Sequence, residues 1–316
     1  MDAPPDSPRD TACQREERTG GSFGSPARPA FEWSAPPGLP LPVLIAVPHG
    51  GRDYPAALLA RMRDPARTTL RLEDRLIDTV GAQVASDTGA ALLVARAPRA
   101  LIDLNRAPDD VDWAMIDTPP PNFARLRPSR RSRSGLGLIP RRLAGLGEIW
   151  RDRLSQAELE QRLAQVHRPY HQALGLALEA IRDRWGAALL VDLHSMPPLG
   201  RHHPYEAAAE FVIGDRFGAS CDPALAALAV DCLARNGRVA VRNRPYAGGY
   251  VLDRHAQPAR GIHCLQIEVC RSSYLDAQMV EPSARLPALV RLLCGMVREL
   301  AASLDRSGSA LPLAAE

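Results

Sequence analysis

Short apolar runs alternate along this chain with longer segments in which apolar residues recur every three or four positions. Short runs of this kind are typical of buried strands, and the longer segments are typical of amphipathic helices. Their alternation favours a mostly parallel sheet covered on both faces, so we predict a three-layer α/β/α sandwich with a mixed sheet. The predicted strands are 43–47, 90–95, 100–104, 187–193, 210–213, 239–241 and 264–269, and the predicted helices are 68–86, 159–181, 223–236 and 282–304.

One domain is expected to span residues 41–306. Residues 1–40 are rich in Pro, Gly, Ser and charge, which predicts a disordered N-terminal tail, and residues 307–316 are expected to form a flexible C-terminal tail. Residues 109–147 interrupt the domain with a proline run and seven arginines. A segment this long without helical or strand pattern indicates either a lid or binding loop, or a solvated mobile insertion.

Composition excludes several classes of function. The net charge of +3 is too small to indicate a nucleic-acid partner. No apolar run approaches the roughly 18 residues that a membrane span needs, and no basic stretch followed by an apolar one marks a secretory signal. The six cysteines include no Cys-x-x-Cys pair, which favours reduced thiols. We expect a soluble cytoplasmic protein without membrane partners, and its oligomeric state stays open.

Two histidines directly follow predicted buried strands. His49 comes after the run 43–47, and His194 comes after 187–193. Ligands of open α/β sheets bind beyond the carboxyl ends of the strands, so both imidazoles are expected at that edge. Either histidine alone is typical of an ordinary turn. Together they indicate a metal centre, and neutral imidazole favours zinc.

Candidate carboxylates accompany these histidines. A catalytic zinc ion usually has three protein ligands and one open position. Glu73 and Asp74 point in different directions on a helix, so one of them is expected to be the third ligand, and position alone does not choose between them. Asp192 shares a strand face with His194 and is expected either to orient that imidazole or to pair with an arginine.

Glu268 is a carboxylate within an apolar strand, where an unpaired charge is costly. Beside a metal ion it fits a general base, because burial raises the pKa of a carboxyl group. The alternative is a buried ion pair with Arg271 or another arginine.

Arg99 and the run Ile102-Asp103-Leu104-Asn105-Arg106 form a further cluster, next to a predicted strand, that could bind a substrate. Arg99, Asn105 and Arg106 fit a site for a carboxylate-bearing molecule, because arginine presents a fixed fork of donors and asparagine bonds amides or oxygens. The alternative is a loop with an Asx-turn and a surface arginine.

A glycine-rich turn that contains Tyr246 and Gly248 indicates either close approach of backbone to a ligand or a tight connection. His167 and His171 are four residues apart on one helix, without the glutamate of a metal-binding motif. We interpret them as structural.

Taken together, these pieces resemble the N-formylglutamate amidohydrolase family. They occur in order between about residues 42 and 276. The matching pieces are Pro48-His49-Gly50-Gly51, Glu73-Asp74, Arg99, Asp103-Leu104-Asn105-Arg106, His167-Arg168-Pro169-Tyr170-His171, Asp192-Leu193-His194-Ser195, Gly218-Ala219-Ser220-Cys221, Asn243-Arg244-Pro245-Tyr246-Ala247-Gly248-Gly249-Tyr250 and Gln266-Ile267-Glu268.

The resemblance implies a phosphorylase/hydrolase-like fold related to zinc carboxypeptidases and aspartoacylases. It implies one Zn²⁺ ion bound by His49, Asp74 and His194. The His-x-x-Glu motif of those relatives is absent, because Arg52 stands three residues after His49. The acidic ligand must therefore come from another segment.

The resemblance also implies the chemistry. Glu268 would be the general base, and the group Arg99, Asn105 and Arg106 would bind the substrate carboxylate and stabilise the oxyanion. The expected reaction is hydrolysis of N-formyl-L-glutamate to formate and L-glutamate, as in histidine breakdown. Hydrolysis of another N-acyl amino acid or short peptide is the second expectation. The third is a metal-free module that binds an acidic ligand or a partner.

Overall fold

The structure, a computed structural model, describes residues 15–119, 129–200 and 207–308. The strands in these ranges are β1 (Glu16–Gly20), β2 (Phe31–Ala35), β3 (Val43–Val47), β4 (Ala91–Ala95), β5 (Arg142–Leu143), β6 (Gly147–Glu148), β7 (Ala188–Met196), β8 (Phe211–Gly214), β9 (Ala240–Arg242) and β10 (Ile262–Cys270). The α-helices are α1 (Ala56–Ala60), α2 (Pro65–Leu72), α3 (Ile77–Thr88), α4 (Arg130–Arg133), α5 (Gln156–Arg162), α6 (Arg168–Trp185), α7 (Pro223–Arg235), α8 (Tyr250–His255) and α9 (Leu286–Gly308).

Eight of these strands form one mixed sheet in the order β1-β2-β4-β3-β7-β10-β8-β9. Its centre is parallel, since β3 pairs in parallel with β4 and β7, and β7 pairs in parallel with β10. Antiparallel pairings join β1 to β2, β2 to β4, and β8 to β10. The predicted mostly parallel α/β fold is confirmed.

The two faces of the sheet are covered by separate apolar clusters. Alternate residues of β3 belong to different clusters: Leu44 lies with α6 on one face, and Ile45 lies with α3, α7 and α9 on the other. This follows from the two-residue period of strand side chains. Both faces of the central strands are therefore buried, which explains why their sequences are continuous apolar runs. None of the described helices is both long and apolar enough to cross a bilayer.

The N-terminal segment differs from the predicted tail. Within residues 1–40, β1 and β2 extend the sheet at one edge. The edge strand β1 is largely exposed, whereas Phe31 and Ala35 of β2, the strand next to it, are buried. The Arg15 guanidinium also donates to the backbone carbonyls of Ala85 and Ala90 at 3.1 and 2.9 Å. The polar composition of this segment gave no indication of these contacts.

The predicted strand 100–104 is wrong. These residues form turns, with the backbone N–H of Leu101 donating to the carbonyl of Pro98 at 2.8 Å. The predicted helix 68–86 is instead two helices, α2 and α3, because Glu73 is extended (ψ 142°) and Leu76 is left-handed (φ 57°). The link between α2 and α3 points inward at the edge where His49 and His194 lie.

The predicted helix 159–181 is α5 and α6 joined without interruption by a π turn, Leu163–His167. Pro169 lies in the first turn of α6, where its missing N–H costs little. Parts of the insertion 109–147 are ordered: α4 and the hairpin β5–β6 lie in it, while residues 120–128 lie outside the described ranges. Of the expected C-terminal tail, residues 309–316 also lie outside them.

A candidate metal-binding active site

His49 and His194 meet at the carboxyl edge of the sheet. His49 lies two residues after the end of β3, and His194 lies within the neighbouring β7, two residues before its end. Their ring centroids are 4.8 Å apart. Each side chain is 3% exposed. Their pairing at this edge is the arrangement that the sequence predicted from strand polarity.

Asp74 faces both imidazoles. Its Oδ2 lies 3.0 Å from Nδ1 of His194 and 3.6 Å from Nδ1 of His49. Glu73 points elsewhere and pairs with Arg75, with Oε2 and Nη1 at 3.0 Å. The break between α2 and α3 therefore separates the two acids, and the structure brings Asp74 to the histidines.

A carboxylate on the far side of each ring orients it. Nε2 of His49 lies 2.7 Å from Oδ1 of Asp103, and Nε2 of His194 lies 3.0 Å from Oδ2 of Asp192. A neutral imidazole that donates Nε2–H to a carboxylate keeps a free lone pair on Nδ1. Both Nδ1 atoms then turn toward Asp74, and Nδ1 of His49 is buried with no hydrogen-bond partner in the described part of the chain.

This geometry fits a metal ion. Ligand atoms of His49, Asp74 and His194 all lie within 4.8 Å of one another, and all three residues are buried. Burial by itself would raise the pKa of Asp74, but the adjacent imidazoles of His194 and His49 hold that pKa well below its usual range. A cation at this point would neutralise Asp74 and accept the unused lone pair of His49, so the group could bind a metal ion.

Glu268 lies beside this group on the next strand. It is in register with His194 across the parallel pair β7–β10, and its side chain is buried. Burial raises the pKa of Glu268 to about 7, and the charge of Asp74 adds to the rise. Arg271, the cation considered as its ion-pair partner, instead donates to Oγ of Ser195 at 3.1 Å. Oε1 of Glu268 accepts from Nε2 of Gln266 at 2.9 Å.

Asp103 links the histidines to the arginines. Its Oδ2 accepts from Nε of Arg99 at 2.9 Å, while its Oδ1 faces His49. Burial would raise the pKa of Asp103, but the charge of Arg99 and the contact with His49 hold it well below its usual range. Arg99 is thus bound to Asp103 and also lines the cavity described below.

Asn105 joins three parts of the site. Its Nδ2 donates to Oε1 of Gln266 at 3.2 Å and lies 3.4 Å from Nε2 of His194. Its Oδ1 accepts from the backbone N–H of Val251 at 3.0 Å. A Cβ on Gly249 would come within 2.5 Å of this same Oδ1. At Gly249, the glycine-rich turn therefore permits close approach to Asn105.

Two buried histidines hold the backbone on either side of Asn105, and a third histidine bonds one of them. Nε2 of His171 donates to the carbonyl of Leu104 at 3.0 Å, and Nε2 of His167 donates to the carbonyl of Arg106 at 2.9 Å. Nδ1 of His171 then accepts from Nε2 of His255 at 3.0 Å. Burial lowers the pKa of all three imidazoles, so the array is neutral. His167 lies on the π turn, a distortion that often occurs at functional sites.

A cavity of about 940 Å³ opens above the His–Asp–His group. The candidate substrate-binding residues Tyr246, Gly248, Asn105 and Arg106 line it. Gly248 has φ 103°, which favours glycine. The insertion also contributes to the wall. Its lining residues are Asp109, Asp110, Ser129, Arg131, Leu136, Leu143 and Ala144.

The sequence analysis missed several supporting residues. Asp103 was grouped with substrate-binding residues, although it contacts His49. Gln266 was overlooked, although its position two residues before Glu268 places both on one strand face. His167 and His171 carried no readable signal, because their partners are backbone carbonyls 61 and 67 positions away.

Two curated bacterial enzymes are similar to this chain. N-formylglutamate deformylase of Pseudomonas aeruginosa is 31% identical over 270 residues, which cover 84% of this chain and 92% of that protein. N-formylglutamate deformylase of Pseudomonas putida is 31% identical over 245 residues, covering 75% and 82%.

Solved structures agree in fold. The crystal structure of N-formylglutamate amidohydrolase from Ralstonia eutropha JMP134 superposes with a TM-score of 0.78 at 33% identity, covering 88% of this chain and 99% of that one. A protein from Agrobacterium tumefaciens has a TM-score of 0.61 at 18% identity, covering 84% and 93%. Residues 41–275 match the family described as N-formylglutamate amidohydrolase. This chain therefore belongs to the N-formylglutamate amidohydrolase family and is a hydrolase that acts on an amide bond.

Proposed function

We propose that this protein hydrolyses N-formyl-L-glutamate to formate and L-glutamate with one divalent metal ion, preferably zinc. The observation that carries the proposal is the buried group of His49, Asp74 and His194, with the high-pKa carboxyl group of Glu268 beside it. The names of the curated relatives supply the substrate, and the arginine-rich cavity fits its negative charge.

Nδ1 of His49, Nδ1 of His194 and Oδ2 of Asp74 would hold the ion. Two imidazole nitrogens and one carboxylate oxygen are a donor set common at catalytic zinc. When bound, the ion supplies Lewis acidity to the substrate carbonyl and makes water more acidic. Asp103 and Asp192 accept the Nε2–H bonds, so the Nδ1 lone pairs of the neutral imidazoles would face the ion.

Glu268 is the proton carrier of the proposed reaction. A pKa near 7 allows it to accept a proton from the attacking water and to return that proton to the leaving amine nitrogen. The bond between the formyl carbon and the amide nitrogen then breaks. The contact between Glu268 and Gln266 fixes the carboxyl group of Glu268 while the proton is transferred.

Arg106 and Arg99 have separate proposed roles, in stabilising the oxyanion and in binding the substrate carboxylate. The guanidinium of Arg106 lines the cavity and is proposed to stabilise the oxyanion that forms on the formyl carbonyl. Arg99 is proposed to hold the α-carboxylate of the substrate. Asn105 holds the segment between them in place through Gln266 and Val251.

One preparation tests the proposal. We expect the purified protein to carry about one zinc ion per chain and to release formate from N-formyl-L-glutamate, both measured on the same sample. A panel of other N-acyl amino acids and short peptides separates the second candidate. Turnover of those compounds without formate release from N-formyl-L-glutamate would overturn the proposed substrate. Absence of hydrolysis across the panel, together with absence of metal, would favour the binding-module alternative.

Replacing His171 by phenylalanine is expected to lower kcat by roughly 10-fold or more, with little change in metal content. The variant loses the bond to Leu104, and a shift of about 1 Å in a positioned group can cost about 100-fold in rate. His171→Gln retains an N–H near the Nε2 position and is expected to recover much of the lost kcat. The measurement is kcat and KM of both variants.

Leu178→Ala is the stability control for His171. Leu178 is buried in the same helix, α6, and its truncation costs about 2–5 kcal/mol without touching the segment around Asn105. We expect a lower Tm and an unchanged kcat at temperatures where the protein is folded. If His171→Phe behaves in the same way, the array has no role in positioning Asn105 and Arg106.

A further inference from the structure

Within the described ranges six arginine side chains line the cavity, and five of them already have partners. Arg99, Arg216 and Arg271 contact the carboxylates of Asp103, Asp253 and Asp74 respectively. The other two donate to backbone carbonyl groups. Arg71 donates to the carbonyl of Ala144 at 3.1 Å, and Arg106 donates to the carbonyl of Leu136 at 3.0 Å.

The Arg131 guanidinium is different. It makes no hydrogen bond or ion pair within the described ranges, although its backbone is well anchored. Ser129 caps the helix α4 that carries it, accepting from the N–H of Ser132 at 3.1 Å, and Oγ of Ser129 donates to Asp110 at 3.0 Å. The nearby carboxylate of Asp110 is thereby occupied. An anchored helix thus presents to the cavity an exposed guanidinium that has no ion-pair partner within the described ranges.

The charge of Arg131 reaches the interior of the cavity. Burial lowers the pKa of Arg106, and the charges of Arg99 and Arg131 lower it further, against the opposing charges of Asp103 and Asp110. The same charge acts on Tyr246, another lining residue. An anion between Arg106 and Arg131 would therefore be attracted by both side chains.

The proposed substrate has a group suited to this place. In an N-acyl glutamate, the α-carboxyl carbon is two bonds from the amide nitrogen, and the side-chain carboxyl carbon is four bonds away. The amide must lie at the buried His–Asp–His group. The α-carboxylate therefore stays near the buried arginines, whereas the side-chain carboxylate extends toward the exposed part of the cavity.

We propose that Arg131 binds the side-chain carboxylate of the substrate, so that this residue of the insertion selects acidic N-acyl amino acids. The inference rests on the proposed function for the position of the amide. It assigns a role to an insertion whose sequence pattern had left two interpretations open. Arg131 acts in binding and makes no contact with the reacting atoms.

Binding measured in the zinc-loaded Glu268→Gln protein tests this inference directly. The two ligands are N-formyl-L-glutamate and N-formyl-L-glutamine, which has nearly the same shape and no side-chain charge. Arg131→Ala is expected to weaken binding of the glutamate compound about 10-fold, equivalent to about 1.4 kcal/mol. Binding of the glutamine compound should change less than about 2-fold. Added salt should reduce the difference, because the interaction lies at an exposed site.

Arg130→Ala is the matched control. Arg130 precedes Arg131 on α4 and is exposed, but it lies outside the lining of the cavity. We expect it to leave binding of both compounds unchanged. An equal loss for both compounds in Arg131→Ala, no loss, or no detectable binding of either compound to the parent protein would overturn the inference. Formate release by the unmodified enzyme decides the proposed function separately.

Discussion

Replacing Glu268 by glutamine is expected to lower kcat by about 10²–10⁴-fold, the range that a positioned general acid or base contributes. Glutamine cannot accept a proton from water, although it has nearly the same shape. Its amide oxygen can still accept from Nε2 of Gln266, so the local structure should persist. The measurement is formate release at saturating substrate. KM should change little, because the loss falls on the transition state.

Two further measurements separate this result from a folding defect. Removal of a buried carboxylate also removes its desolvation cost, so Tm should stay the same or rise. Metal content should remain at the level of the unmodified enzyme, since Glu268 is not among the grouped ligands. A variant that keeps more than about a tenth of kcat falls short of the range for a general base and contradicts the assigned role.

The sequence was most informative at the centre of the sheet. Val43–Val47 and Ala188–Met196 are buried on both faces, so their apolar runs could be recognised without any partner. Strand polarity then placed His49 and His194 at one edge. Glu268 lies beside them because β10 is parallel to β7 and in register with it, a pairing that the sequence analysis did not predict.

The sequence was least informative where long-range contacts decide local structure. Leu76 adopts a left-handed conformation that its side chain does not favour. The local sequence therefore does not predict the break between α2 and α3 that turns Asp74 toward the histidines. The strand Phe31–Ala35, second from the edge of the sheet, buries few residues and lies within a polar segment. Asp103 contacts His49 across 54 positions of chain, and the spacing of residues in the sequence does not predict such a contact.

Replacing Asp74 by asparagine is expected to weaken zinc binding by more than about 100-fold. Substitution of a residue that contacts a metal ligand costs about 10–100-fold in affinity, and loss of a charged ligand should exceed that. Zinc binding also adds to the free energy of unfolding. At zinc 1,000 times the dissociation constant the gain is about 4.1 kcal/mol, and for 100-fold weaker binding it falls to about 1.4 kcal/mol. Thermal unfolding with and without zinc measures both gains.

Glu73→Gln is the matched control, because Glu73 is the neighbouring acid and is equally buried. Its Oε2 pairs with Arg75 and does not face the histidines, so its loss should lower Tm in zinc-free and zinc-loaded protein alike. The zinc-dependent gain should stay at the level of the unmodified enzyme. Asp74→Asn should show the reverse, with the loss confined to the zinc-loaded protein. If Glu73→Gln abolishes the gain and Asp74→Asn preserves it, the third ligand is Glu73, and the orientation of the link between α2 and α3 must differ in the metal-bound enzyme.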